Sequence, residues 1–215
     1  MRPADVPMPA AVAARPRDDR GYPVLAITPW ADGQPRFAAT GTARSYLCAV
    51  ERRCSICGTP MAAGPVWRVV GGAEAEAIAA AMAAGRAYRN EAATVEAPGH
   101  RDCMLYAAVV CPYLAQSTAR RGQDGTHAGM VRGERKSAGG AVVGFGSLEF
   151  RYADVMMFRF VDVVEFLPHD SGEEQLPVLV SAISQSTAAT PECPDYLLSD
   201  EESATRRFTT YLDVR

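Results

Sequence analysis

An α+β fold is the class this sequence predicts, and two observations predict it. Residues 141–167 are dense in Val, Phe, Met and Tyr, the composition of paired strands. Elsewhere, at 73–89, 100–113, 173–184 and 200–213, the chain has helix-forming composition or helix-start signals. The 215 residues, 48% apolar and 22% charged, suit one ordinary domain or one domain with a small appendage. Such a chain builds a core without disulfides, and wholesale disorder is excluded.

The elements follow in order. Residues 1–20 hold four Pro, four Arg and few large apolar side chains, so they read as a disordered arm. A strand is expected at 22–27 and a second at 36–40, with turn chemistry at Pro29, Asp32-Gly33 and Pro35 between them. Thr42 suits the cap of a short helix over 43–51, and a strand follows at 66–70. The Ala-rich stretch 73–89 predicts a helix. After Pro98-Gly99 a second helix is expected at 100–113, bent or ended by Pro112. Six glycines between 116 and 140 mark a linker or loop at 117–140. Two strands are expected near 142–151 and 154–167. Ser171 with Glu174 and Ser199 with Glu202 have capping-box spacing before the last two helices, the first weakened by Pro177. The expected division is a disordered arm 1–20, a metal-bearing domain 21–116, the linker 117–140 and a small α+β subdomain 141–215.

The metal expectation rests on spacing. Cys54-Ser55-Ile56-Cys57-Gly58 is a C-x-x-C-G turn, and 42 residues separate Cys57 from His100-Arg101-Asp102-Cys103. Two such pairs supply four ligands to one tetrahedral Zn²⁺. The glycine lets the turn fold sharply, so both sulfurs converge. His100 and Cys103, three residues apart, share one helix face. Their place on a first helical turn favours thiolate. Three thiolates and a neutral imidazole leave the Zn²⁺ site at −1, which Arg52, Arg53 and Arg101 are placed to offset. Knuckle, strand, then ligand-bearing helix is the order of a treble clef, so the N-terminal half is expected to be treble-clef-like.

Cys48, six residues before Cys54, reads as a small buried hydrophobe or a spare ligand, and Cys111 and Cys193 as buried hydrophobes. His127 and His169 read as solvated loop residues. There is no H-E-x-x-H, no deaminase H-x-E with P-C-x-x-C, no G-x-G-x-x-G or Walker loop, and no G-x-S-x-G. A redox C-x-x-C would leave His100 and Cys103 unexplained.

The run Gly21-Tyr22-Pro23-Val24, the C-x-x-C-G of Cys54 to Gly58, His100-Arg101-Asp102-Cys103, Tyr106 and Cys111-Pro112-Tyr113-Leu114 resembles a family of small actinobacterial and actinophage proteins of unassigned function. The resemblance covers about residues 21–115, and it implies that Cys111-Pro112 belongs to a shared signature.

Charge does not choose a partner. The 22 basic and 25 acidic residues sum to −3, but 1–161 carry 19 basic and 14 acidic side chains while 162–215 carry 3 and 11. All basic residues but Lys136 are Arg, which a GC-rich genome produces through its codons. The leading expectation is a structural-zinc module binding a macromolecular partner, nucleic acid or protein. Arg44, Arg52, Arg53, Arg68, Arg86, Arg89 and Arg101, with Arg120, Arg121, Arg132, Arg135 and Lys136 in the linker, favour nucleic acid; the acidic C-terminal segment opposes it. The alternative is an enzyme, either through Asp154, Asp162, Glu165 or His169, or through a catalytic zinc with three protein ligands and a water. No apolar run reaches bilayer length, no membrane partner is expected, and the Ala-Val-Ala-Ala of 11–14 is too short for a signal-peptide core, so a cytoplasmic location is expected.

Overall fold

The computed structural model describes residues 6–37, 39, 41–88, 96–111, 140–168, 176–184 and 192–213. It is an α+β structure with two small antiparallel sheets and a Cys/His cluster in its N-terminal half. The chain runs α1 (Ala10–Ala13), β1 (Trp30–Ala31), β2 (Gln34–Pro35), α2 (Thr42–Val50), β3 (Val66–Gly71), α3 (Gly72–Ala83) and α4 (Arg101–Val110). It continues through β4 (Gly140–Ala153), β5 (Val155–Pro168), α5 (Leu176–Ser184), a 3₁₀ turn at Asp195–Leu197 and α6 (Glu201–Asp213).

The main sheet has the order β3-β4-β5, all antiparallel. β4 and β5 form a long hairpin whose tip is Asp154, at φ 63°, and one residue bulges near Gly144/Phe145. Cross-strand neighbours share a face, so the two faces can be told apart by what reaches them. Arg68, opposite Val143, takes Glu74 from α3. Trp67 and Glu165 flank Gly144 on β4, and Glu165 takes Arg101 from α4. Helices therefore lie against both faces near this end of the sheet, which is why Ala141, Val142, Val143 and Phe145 are all fully buried.

The sheet also joins the two halves of the chain. β3, from the expected metal domain, pairs with β4 along Val66–Gly71, and one apolar core contains Cys54, Leu105, Phe145 and Phe160 together. The segment 141–215 is thus not a separately cored subdomain: its strands complete the sheet that β3 begins. The 117–140 linker, His127, His169 and the Ser171–Glu174 capping box lie outside the described residues, save Gly140 at the start of β4.

The arm expected to be disordered is also corrected. From residue 6 onward it packs: Val12 is fully buried, Arg15 is buried, and the Arg15 Nε donates to the Val24 carbonyl at 2.8 Å. The strand expected at 22–27 is not a ladder; it is an extended segment whose Ala26 and Ile27 amides donate to the Ile56 and Ser55 carbonyls. Of the strand expected at 36–40, residues 38 and 40 lie outside the described residues and Arg36, Phe37 and Ala39 are not in a strand; the short hairpin β1–β2 precedes them. α2 starts one residue early, with Gly41 rather than Thr42 as its N-cap. α3 stops at Ala83 because Gly85, at φ 62°, closes its C-terminus. The cap of α6 is Asp200, whose carboxylate accepts from the Ser203 amide at 2.8 Å, rather than Ser199.

α6 docks on α2. The fully buried Arg44 side chain donates to Glu201 at 2.6 Å and to the Ala26 carbonyl at 3.2 Å. Tyr46 stacks edge-on against Phe208 and Tyr152, with ring centroids 5.0 and 5.4 Å away. At the end of α2, Glu51 accepts from Arg53 at 2.7 Å, from Arg207 at 2.5 Å and from the Tyr196 hydroxyl.

Candidate metal centre

Local backbone chemistry makes the knuckle. After α2, Arg52 turns at φ 50°, and the chain returns antiparallel through the Arg53–Pro60 bridge. The Cys54 amide donates to the Thr59 carbonyl at 3.0 Å, and the Gly58 amide to the Cys54 carbonyl at 2.8 Å. Gly58 sits at φ 78°, and a Cβ there would lie 2.5 Å from the Cys193 sulfur. Both the turn and the neighbour therefore require glycine at this position.

The second ligand pair reaches the knuckle because residues 97–100 are held from two sides. The Ser55 amide and hydroxyl donate to the carbonyls of Pro98 and Ala97, at 3.0 and 3.1 Å. Gly99 exchanges two backbone bonds with Trp67 of β3, at 3.0 and 2.9 Å. A Cβ on Gly99 would stand 2.9 Å from the Cys54 sulfur, so this close approach also depends on glycine. His100 is then the N-cap of α4, and Cys103 lies on the first turn.

The result brings together all four expected residues. The ligand atoms of Cys54, Cys57, His100 and Cys103 lie within 4.8 Å of one another. Nδ1 of His100 is 3.4 Å from the Cys57 sulfur and 3.9 Å from the Cys103 sulfur. A tetrahedral site with metal–sulfur bonds of about 2.3 Å has sulfur–sulfur edges of about 3.8 Å. The donor set fits a metal ion of that size.

Two further groups complete the surroundings. Nε2 of His100 donates to the Pro60 carbonyl at 3.0 Å, so in a neutral ring Nδ1, the nitrogen that faces the sulfurs, is the one free to ligate a metal. The buried Thr59 hydroxyl lies 3.2 Å from the Cys57 sulfur and stabilises it as thiolate. Sequence reasoning missed both; the available signal was Thr59-Pro60 directly after the knuckle glycine.

Proton distribution follows from the packing. Burial disfavours a charged imidazole, but bonds to the Cys54 and Cys57 sulfurs favour it, and His100 is pushed up to about 11. Hydrogen bonds with Cys103 and Cys54 hold Cys57 far below the usual thiol range, against the push of burial. The corresponding bonds with Cys54 and Cys57 hold Cys103 up.

The remaining cysteines do not join. Cys48 is buried in a small cluster with Ala26 and Leu197, and burial pushes its thiol far up. Cys111 follows the last turn of α4. Cys193 packs beside Gly58 and accepts from Arg15 Nη1 at 3.1 Å.

The acidic residues considered for an enzyme do not converge. Asp154 is at the hairpin tip and Glu165 eleven residues further along β5, about 36 Å away in extended chain. Asp162 is exposed. Glu165 is taken up by Arg101, in a two-pronged contact at 2.7 and 2.8 Å, and by the Trp67 indole at 2.9 Å. The Arg101 guanidinium is thus committed to this carboxylate rather than placed as a counter-charge for the sulfurs.

The arginines expected to bind phosphate are largely committed. Arg44, Arg53, Arg68 and Arg101 pair with Glu201, Glu51, Glu74 and Glu165, and Arg52 holds the Ala62 and Gly64 carbonyls. Arg86 is exposed, and Arg89 and the linker's basic residues lie outside the described residues. No helix among the described residues is long and apolar enough to cross a membrane. No family model, curated protein or solved structure matches the chain.

Proposed function

We propose that the chain is a structural-zinc protein that acts as an interaction module, with a protein rather than a nucleic acid as its partner. One observation carries the reading: the four donors form a closed set, with the second histidine nitrogen bonded to the Pro60 carbonyl. A catalytic zinc keeps a coordination position for water, whereas four protein ligands leave none. Zinc is favoured over other ions by three thiolates and an imidazole in a tetrahedral arrangement. The commitment of Arg44, Arg53, Arg68 and Arg101 to internal carboxylates removes much of the support for phosphate binding. Kinship with the actinobacterial C-x-x-C-G and H-x-x-C proteins belongs to the same proposal, since the residues of that pattern are the ones that meet.

Native mass spectrometry of the purified chain tests the reading, together with visible spectroscopy after cobalt substitution. One zinc per chain, and an intense tetrahedral cobalt spectrum with sulfur charge-transfer bands, are expected. A metal-free protein, or a five-coordinate cobalt spectrum that responds to added anions, overturns it.

A further inference from the structure

β4 and β5 are each 14 residues long, but β3 has only 6. β3 covers β4 from Gly140 to Phe145 and ends there, because Val66 is preceded by Pro65. Proline has no amide hydrogen to carry the ladder further. Behind it Gly64 turns at φ 136°, and Arg52 holds the carbonyls of Ala62 and Gly64. Among the described residues, no strand takes up this edge of β4 from Gly146 to Ala153. A strand edge of this kind is a template for adding another strand.

The side chains on the edge select what is added. Leu148, Phe150 and Tyr152 lie opposite Phe160, Phe158 and Met156 of β5 and so share the core-facing side. Phe158 and Phe160 are fully buried, yet Phe150 is 42% exposed. Glu149 and Arg151 alternate with them on the solvated side, where Arg159 lies 3.5 Å from Glu149.

A second copy of β4 meets this pattern well. Two antiparallel strands related by a two-fold axis normal to the sheet must set residues of one face opposite each other, so the axis passes midway between one residue and its own copy. With the axis at Phe150, Glu149 faces Arg151 of the second copy, twice over, and Leu148 faces Tyr152. The two adjacent registers, centred on Glu149 or on Arg151, instead oppose like charges, which destabilises a sheet. We propose that the chain forms a two-fold dimer by continuing its sheet from β4 to β4, in the register centred on Phe150. The inference rests on the interaction-module reading and gives that module a first partner, another copy of itself.

Sedimentation velocity of the full chain, from micromolar to submillimolar concentration, tests this. A monomer–dimer equilibrium is expected. Glu149→Arg alone and Arg151→Glu alone should each weaken the dimer about tenfold or more, since each sets two like-charge pairs face to face. The double reversal Glu149→Arg with Arg151→Glu should restore it to within about threefold. Circular dichroism of each variant confirms that the exposed exchange leaves the fold intact. A monomer at every concentration, or a dimer that both single reversals leave unchanged, overturns the proposal. Zinc content measured on the same samples keeps the two readings apart. A zinc-bearing monomer overturns the dimer alone, and a zinc-free dimer overturns the metal centre alone.

Discussion

The imidazole of His100 is aimed by a backbone atom of the knuckle: its Nε2 lies 3.0 Å from the Pro60 carbonyl oxygen, six residues after Cys54. The same short loop thus supplies two sulfurs and orients a third ligand that is 40 residues away in sequence. Histidine ligands depend on such an outer bond to fix which nitrogen faces the metal. In the zinc-loaded protein, long-range proton–nitrogen NMR should show His100 protonated at Nε2 and bare of hydrogen at Nδ1. A spectrum with the opposite tautomer would refute the assigned geometry.

Metal and folding should be lost together at the knuckle. Cys57→Ser removes a thiolate from the centre of the cluster, and it should lose the zinc and lower the melting temperature by about 10 °C or more. Cys193→Ser, outside the ligand set though packed on Gly58, should keep one zinc per chain. Metal analysis with thermal melts distinguishes the two, and full zinc retention in Cys57→Ser would remove Cys57 from the site.

The buried Arg44 makes Glu201 costly to lose. Glu201→Ala leaves a fully buried guanidinium without its carboxylate, and it should destabilise the chain by about 3 kcal/mol in denaturant unfolding. Arg44→Met in the same background should recover a large part of that loss, because the uncompensated charge is gone. Additive losses in the double variant would show that the pair is not coupled.

Acid should loosen the docking of α6. Burial pushes the Glu51 carboxyl up, but hydrogen bonds from Tyr196, Arg53 and Arg207 together outweigh it and hold it below its ordinary 4.5. A carboxylate depressed on folding stabilises the protein above its unfolded value, and that contribution fades as pH falls through the folded one. Glu51→Gln should therefore be less stable than the parent by about 2 kcal/mol at pH 7, a figure reduced because Arg207 is partly exposed. The gap should close below about pH 4. A pH-independent difference would assign the effect to packing instead.

Short-range spacing makes the metal cluster legible in the sequence, whereas contacts with distant partners leave no local mark. The spacing of Cys54, Cys57, His100 and Cys103 names the cluster because each pair is positioned by its own turn or helix. Nothing local reveals that Glu165 belongs to Arg101, or that Pro60 holds His100, since those contacts exist only once β5 and the knuckle have met α4. At 22–27 the alternation of buried Val24 and Ala26 does report which side chains face inward. It cannot say whether their backbone joins a ladder, and here it joins knuckle carbonyls. The Ala-rich run after Gly72 reads as helical to residue 89, because propensity sums over a window and outweighs one glycine. In the structure that glycine, Gly85, sets the end.

The expected division at 117–140 lies outside the described residues, but the strands on either side of it belong to one sheet. A glycine-rich stretch signals a change in local composition, whereas a domain boundary is a matter of which surfaces are buried against each other. β3 has a bare edge until β4 arrives, so the chain must cross that stretch to complete one sheet.

The pairing of Arg44 with Glu201 also sets an order of events during synthesis. The ribosome releases the N-terminal half first, as domains emerge from it. Yet the guanidinium that α2 must bury lacks its carboxylate until residue 201 has been made, 157 residues later. Until then the guanidinium lacks both that carboxylate and the Leu198 carbonyl, so the native packing around α2 is completed only when α6 has left the exit tunnel. Nascent chains halted before α6 should therefore stay protease-sensitive around α2, even where the four metal ligands are already outside.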